Sequence, residues 1–78
     1  MEEVRWMHFL QALRFLAKKP NDPNSVLLGE LRIRDYLKGP TASLQRLNAA
    51  IDEEVKACHG DKFFWIAIQK FVQSQFDK

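Results

Sequence analysis

Apolar residues recur along this chain at the spacing of helices rather than of strands. Within 2–19, Trp6, Phe9, Leu10, Leu13, Leu16 and Ala17 fall on one face at about 100° per residue. Arg5, His8, Gln11, Arg14, Lys18 and Lys19 fall on the other. Glu2 and Glu3 suit the positive end of that helix dipole, and Lys18 and Lys19 the negative end. Pro20 stops the helix, and Pro20-Asn21-Asp22-Pro23-Asn24 predicts a turn. The clearest pattern lies in 42–58, where Leu44, Leu47, Ile51, Val55 and Cys58 form one stripe. Thr41 or Gly39 is expected to cap its start, and Gly60 to mark its stop. A last helix is predicted over 62–77, with Asp61 as N-cap. Phe64, Ala67, Ile68 and Phe71 share its main face, with Trp65, Val72 and Phe76 beside them. Phe63 and Ile66 fall outside that arc, among Lys62, Gln69, Lys70 and Gln73.

Residues 23–38 carry two patterns that disagree. Leu27, Leu28 and Leu31 would share one helical face, whereas Val26, Ile33 and Leu37 would share another. Gly29 in the middle costs about 1 kcal/mol relative to Ala. Leu31-Arg32-Ile33-Arg34 alternates as a strand does, but the chain offers no partner strand. A broken helix is therefore predicted, in two short pieces hinged near Gly29. Asp22 is its N-cap, Pro23 its first residue and Gly39-Pro40 its end.

The sum is one all-α domain over 1–78, a compact bundle of four to five short antiparallel helices joined by short loops. The Leu44–Cys58 stripe is expected at its centre. The core candidates are Phe9, Leu10, Leu13, Leu47, Ile51, Val55, Phe64, Ile68 and Phe71. A chain of 78 residues buries only about 60% of its extended surface, so its stability margin is narrow. A partner chain or a surface would widen it.

Composition narrows the function classes. Hydrophobic residues make up 46% and charged residues 28%, which excludes wholesale disorder. Twelve basic and ten acidic residues leave a net charge of +2, too balanced to imply nucleic acid. The longest apolar run, Phe63 to Ile68, is far short of the roughly 20 residues of a spanning helix. The start, Met-Glu-Glu-Val-Arg-Trp, is acidic, and Gln11 and Arg14 interrupt the apolar residues, unlike a secretory signal. With the single Cys58 this predicts a cytoplasmic protein, peripheral to the inner membrane if lipid is its target.

Catalytic and metal-binding readings fail on spacing. In Cys58-His59-Gly60-Asp61, adjacent side chains point about 100° apart and do not face one another. His8, Cys58, His59 and Asp61 show no i, i+4 pair of a helical metal clamp. Asp52-Glu53-Glu54 splays around its helix, and the three glycines form no phosphate loop. The sequence therefore predicts no enzyme, no cofactor and no metal.

The informative feature is an apolar excess on polar faces. Val4, Met7 and Phe15 project from the basic face of the first helix, and Phe63 and Ile66 stand between lysines on the last. Large apolar groups mixed with Arg and Lys compose an interfacial helix, or a helix that docks on a partner. The candidate surface comprises Arg5, Arg14, Phe15, Lys18, Lys19, Lys62, Phe63, Trp65, Ile66 and Lys70.

The length, the all-helical layout, the missing signal peptide and the aromatic end segments Trp6-Met7-His8-Phe9-Leu10 and Phe63-Phe64-Trp65-Ile66-Ala67-Ile68 together resemble the PAS factor family. These are small bacterial proteins linked to secretion of periplasmic proteins and similar to saposins in fold. The resemblance implies a compact set of helices that opens onto lipid. Saposins carry six cysteines, whereas Cys58 stands alone here, so packing would have to hold such a fold. Two function classes follow. One is a membrane-surface protein that meets anionic lipid and assists secretion. The other is a soluble interaction or regulatory module with a protein partner, which includes a homodimer.

Overall fold

The computed structural model describes residues 2–18, 22–57 and 60–77. They form four helices in chain order: α1 (Glu2–Ala17), α2 (Pro23–Lys38), α3 (Leu44–Ala57) and α4 (Lys62–Phe76). No strand occurs among the described residues. The fold is an all-α bundle about 32 × 29 × 22 Å across.

Each described cap has a local cause. Asp22 accepts from the Asn24 N–H at 3.0 Å, and Pro23 opens α2 where its missing donor costs nothing. Ser43, not Thr41 or Gly39, caps α3: its Oγ accepts from the Arg46 N–H at 3.1 Å. Asp61 caps α4 by accepting from the Phe63 N–H at 3.1 Å. The Asp61 N–H in turn donates to the Ala17 carbonyl at 2.7 Å, so one residue starts α4 and satisfies the end of α1.

α2 is one continuous helix and has no break at Gly29. The glycine serves packing instead. A Cβ at Gly29 would stand 2.8 Å from Ile68 Cδ1 and 3.2 Å from the Phe64 ring, so α2 and α4 approach closely only because that atom is missing. This contact decides between the two apolar faces of α2. Ile33 is buried and Val26 and Leu37 half-buried, while Leu27, Leu28 and Leu31 are exposed.

The centre of the bundle is α4 rather than the Leu44–Cys58 stripe. α4 touches α1, α2 and α3, whereas α3 packs mainly against α4. α4 also supplies Phe64, Trp65, Ile68 and Val72 to the core. Leu13, Leu16, Ala17, Ile33, Leu47 and Ile51 complete it. Phe9, Leu10, Val55 and Phe71 are half-buried at its edge. Cys58 lies outside the described residues.

Glu54 is buried in α3 and is met by Arg14 of α1, whose Nε donates to Oε1 at 2.8 Å. The Arg14 side chain remains 44% exposed, so this pair spans from the core edge to solvent. The buried carboxylate needs such a donor, and the pair fixes α1 across α3.

Gly60 has φ +73°, the left-handed region. A Cβ there would come within 2.5 Å of the Ala17 carbonyl oxygen, a backbone atom that cannot step aside. Gly60→Ala therefore suffers both backbone strain and a clash at the α1–α4 junction. We expect a loss of about 2 kcal/mol or more in urea unfolding, with a melting temperature roughly 10 °C lower. A variant within about 0.5 kcal/mol of the parent would contradict this geometry.

Candidate functional site

Two surface features emerge from the packing. The first is an apolar belt. α2 and α4 run parallel, since Gly29 sits against Phe64 and Ile68, and the Arg34 guanidinium lies 5.4 Å from the centre of the Phe71 ring. Leu27 and Leu31 lie about 160° to 200° around α2 from Gly29, on the face turned away from α4, and Phe63 is exposed on α4. α1 runs antiparallel to α2, with Phe9 stacked on Tyr36 at 5.0 Å. Phe15 on α1 and Leu28 on α2 are exposed as well. The five exposed side chains are spread over three helices, α1, α2 and α4. All are exposed, from 49% at Leu28 to 71% at Phe63.

Basic residues border the belt. Lys18 stands past the end of α1, Lys62 opens α4, and Lys70 shares the Phe63 side of α4; all three are exposed. Arg32 and Arg34 project from α2 on either side of its leucines. The nearby acidic residues are Asp22, Glu30 and Asp35.

The second feature is a cleft where the start of α1, the end of α2 and the start of α3 meet. It has a volume of about 470 Å³ and is lined by Arg5, Trp6, Asp35, Tyr36, Thr41 and Arg46, among others. A neighbouring hollow of about 370 Å³ continues it along α1–α2, past His8, Ala12 and Arg32. Its aromatic wall is firm: Tyr36 lies 5.0 Å from Phe9 and 5.5 Å from Trp6, and its hydroxyl accepts from the Ser43 N–H at 3.0 Å. Arg46 lies over the Trp6 ring at 4.3 Å and donates to Glu3 at 2.9 Å. Guanidinium stacking plus an ion pair fixes that side chain in place.

The candidate residues from sequence separate into groups. Phe15, Lys18, Lys62, Phe63 and Lys70 stand on or beside the belt. Trp65 does not: it is fully buried against Phe64, with ring centres 5.1 Å apart, so the expectation of a surface role is corrected. Its position beside the main apolar face of α4 turns it into the core, because that helix is covered on three sides. Ile66 is half-buried. Arg14 is engaged by Glu54, and Arg5 belongs to the cleft. Lys19 lies outside the described residues, as do Cys58 and His59 of the catalytic motif weighed above. The α2 leucines are absent from the sequence-based surface. The signal existed in their separate helical phase, but only the Gly29 contact decides which phase turns outward.

No helix among the described residues is long and apolar enough to cross a membrane. The burial of the two tryptophans gives a direct check. Trp6 is half-buried and Trp65 fully buried. Acrylamide should quench Trp6 readily in Trp65→Phe and Trp65 hardly at all in Trp6→Phe. Equal quenching of the two single-tryptophan variants would contradict this packing. Comparison with protein families, with curated proteins and with solved structures found no match to this chain.

Proposed function

We propose that this chain is a non-enzymatic helical protein that works at an anionic membrane surface through its apolar belt. The observation that carries the reading is the belt itself: Phe15, Leu27, Leu28, Leu31 and Phe63 exposed across three helices, with Lys18, Lys62 and Lys70 beside them. Single exposed apolar residues need no explanation, but five large ones on three helices, with cations among them, do. The three leucines stand on the outward face of α2. A deformable lipid surface follows such a face without needing a matching groove. The resemblance to the PAS factor family points the same way.

Magnitudes support reversible binding. Burying the exposed half of five large apolar side chains contributes roughly 1 kcal/mol each. Three lysines near an anionic surface contribute about 1 kcal/mol each. The total, about 8 kcal/mol, sets a ceiling near micromolar affinity. Salt removes the charge contribution and leaves the apolar one.

Flotation with vesicles tests the reading. The protein should float with phosphatidylglycerol-containing vesicles, and less at high salt without full release. Leu28→Gln combined with Phe63→Gln should weaken binding by roughly tenfold or more, since about 2 kcal/mol is removed. Met7→Gln, exposed but off the belt, should bind as the parent does. Absence of flotation, or equal loss in the Met7 variant, would refute a lipid-facing belt. A dimer in size exclusion that Leu28→Gln and Phe63→Gln dissociate would favour the protein-partner reading instead.

A further inference from the structure

We infer that the cleft between the start of α1 and the end of α2 is a binding site for a phosphate monoester. The inference does not depend on the membrane reading, because Arg5, Tyr36 and Thr41 are not among the belt residues. It rests on the polar groups that line the cleft and on what they leave unused.

The cleft is rich in donors. Arg5 lines both hollows, Arg32 lines the inner one, and neither has an ion-pair partner among the described residues. The Tyr36 hydroxyl accepts from the Ser43 N–H, and its own proton finds no acceptor among the described residues. Thr41 adds a hydroxyl from the α2–α3 turn. Arg46 stands at the edge, already shared between Glu3 and the face of Trp6. These donors line the two adjoining hollows from α1, α2, the following turn and α3, and so from more than one side. A planar carboxylate offers two oxygens in one plane. A phosphate monoester offers three acceptor oxygens in a tetrahedral array and close to two negative charges, which suits donors that converge from different sides.

The remaining features describe the rest of the ligand. At about 470 Å³ the cleft is much larger than a phosphate group, so an organic substituent fits beside it. Asp35 is the carboxylate lining both hollows, and it pairs with neither Arg5 nor Arg32. An acceptor beside an anion site suits a ligand hydroxyl rather than a second anionic group. Glycerol 3-phosphate carries that combination. The phosphate monoester occurs both in this free metabolite and in the headgroup of phosphatidic acid, where acyl chains occupy the glycerol hydroxyls and only the phosphate is left for the site to read.

The tryptophan in the cleft supplies the readout. Glycerol 3-phosphate titrated into the ¹⁵N-labelled protein, without lipid, should shift the Trp6 indole and Thr41 amide signals saturably. Arg5→Gln should weaken that binding about tenfold or more, the loss expected for one charge-assisted hydrogen bond. Arg5 is exposed and has no hydrogen-bond partner among the described residues, so this variant keeps the fold. Tyr36→Phe should weaken binding as well, but it also removes the acceptor of the Ser43 N–H, so Arg5→Gln carries the decision. A second arm identifies the source. If the headgroup is the ligand, Arg5→Gln lowers binding to phosphatidic acid vesicles and leaves binding to phosphatidylglycerol vesicles, a diester, unchanged. If the free metabolite is the ligand, neither vesicle responds to Arg5→Gln, while the solution titration does. No saturable shift with glycerol 3-phosphate, or shifts identical in Arg5→Gln, would overturn the site whatever the vesicles show.

Discussion

The close approach of α2 and α4 at Gly29 is the constraint on which the rest of this molecule depends. α2 carries two apolar faces that cannot both be buried. With no side chain at Gly29, the helix fits against Phe64 and Ile68 in one phase only. That phase buries Ile33 and turns Leu27, Leu28 and Leu31 to the outside. The same contact therefore completes the core and creates the belt. A bundle that chose the leucine face for its interior would be a better-covered globule with no band to present.

The second constraint is the junction where Gly60 and Asp61 meet the end of α1. The Asp61 N–H satisfies the Ala17 carbonyl, and the left-handed Gly60 lets the chain turn there. The junction brings the start of α4 beside the end of α1, which sets Phe63 and Lys62 near Lys18. The opposite end is arranged by Tyr36. Its hydroxyl holds the turn before α3 and its ring packs with Phe9 and Trp6, so the cleft has a firm wall. The Gly60–Asp61 junction and the Tyr36 packing thus arrange the two ends of the bundle.

Much of this architecture was legible in the sequence. The helices over 2–17, 44–57 and 62–76 follow from apolar spacing, and Asp22 and Asp61 read correctly as caps. Leu13, Leu47, Ile51, Phe64 and Ile68 are buried as their stripes require. What failed has a common physical origin. Intrinsic propensity made Gly29 a hinge, but tertiary packing used it as a point of contact, so α2 runs unbroken. Periodicity made the most regular stripe, in α3, the centre. The widest apolar arc, in α4, is the one that can touch three neighbours. Trp65 looked like a surface residue for the same reason, since a wide arc reads as excess until a third helix covers it. The cleft was invisible because Arg5, Tyr36 and Arg46 belong to three different helices, and no local pattern links them.

The phase of α2 is the central claim, and methyl NMR with a soluble paramagnetic agent measures it directly. The methyl signals of Leu27, Leu28 and Leu31 should broaden strongly, while those of Val26 and Ile33 should persist. Protection of the three leucines with broadening of Ile33 would show the opposite face buried, and both the Gly29 contact and the belt would fall with it.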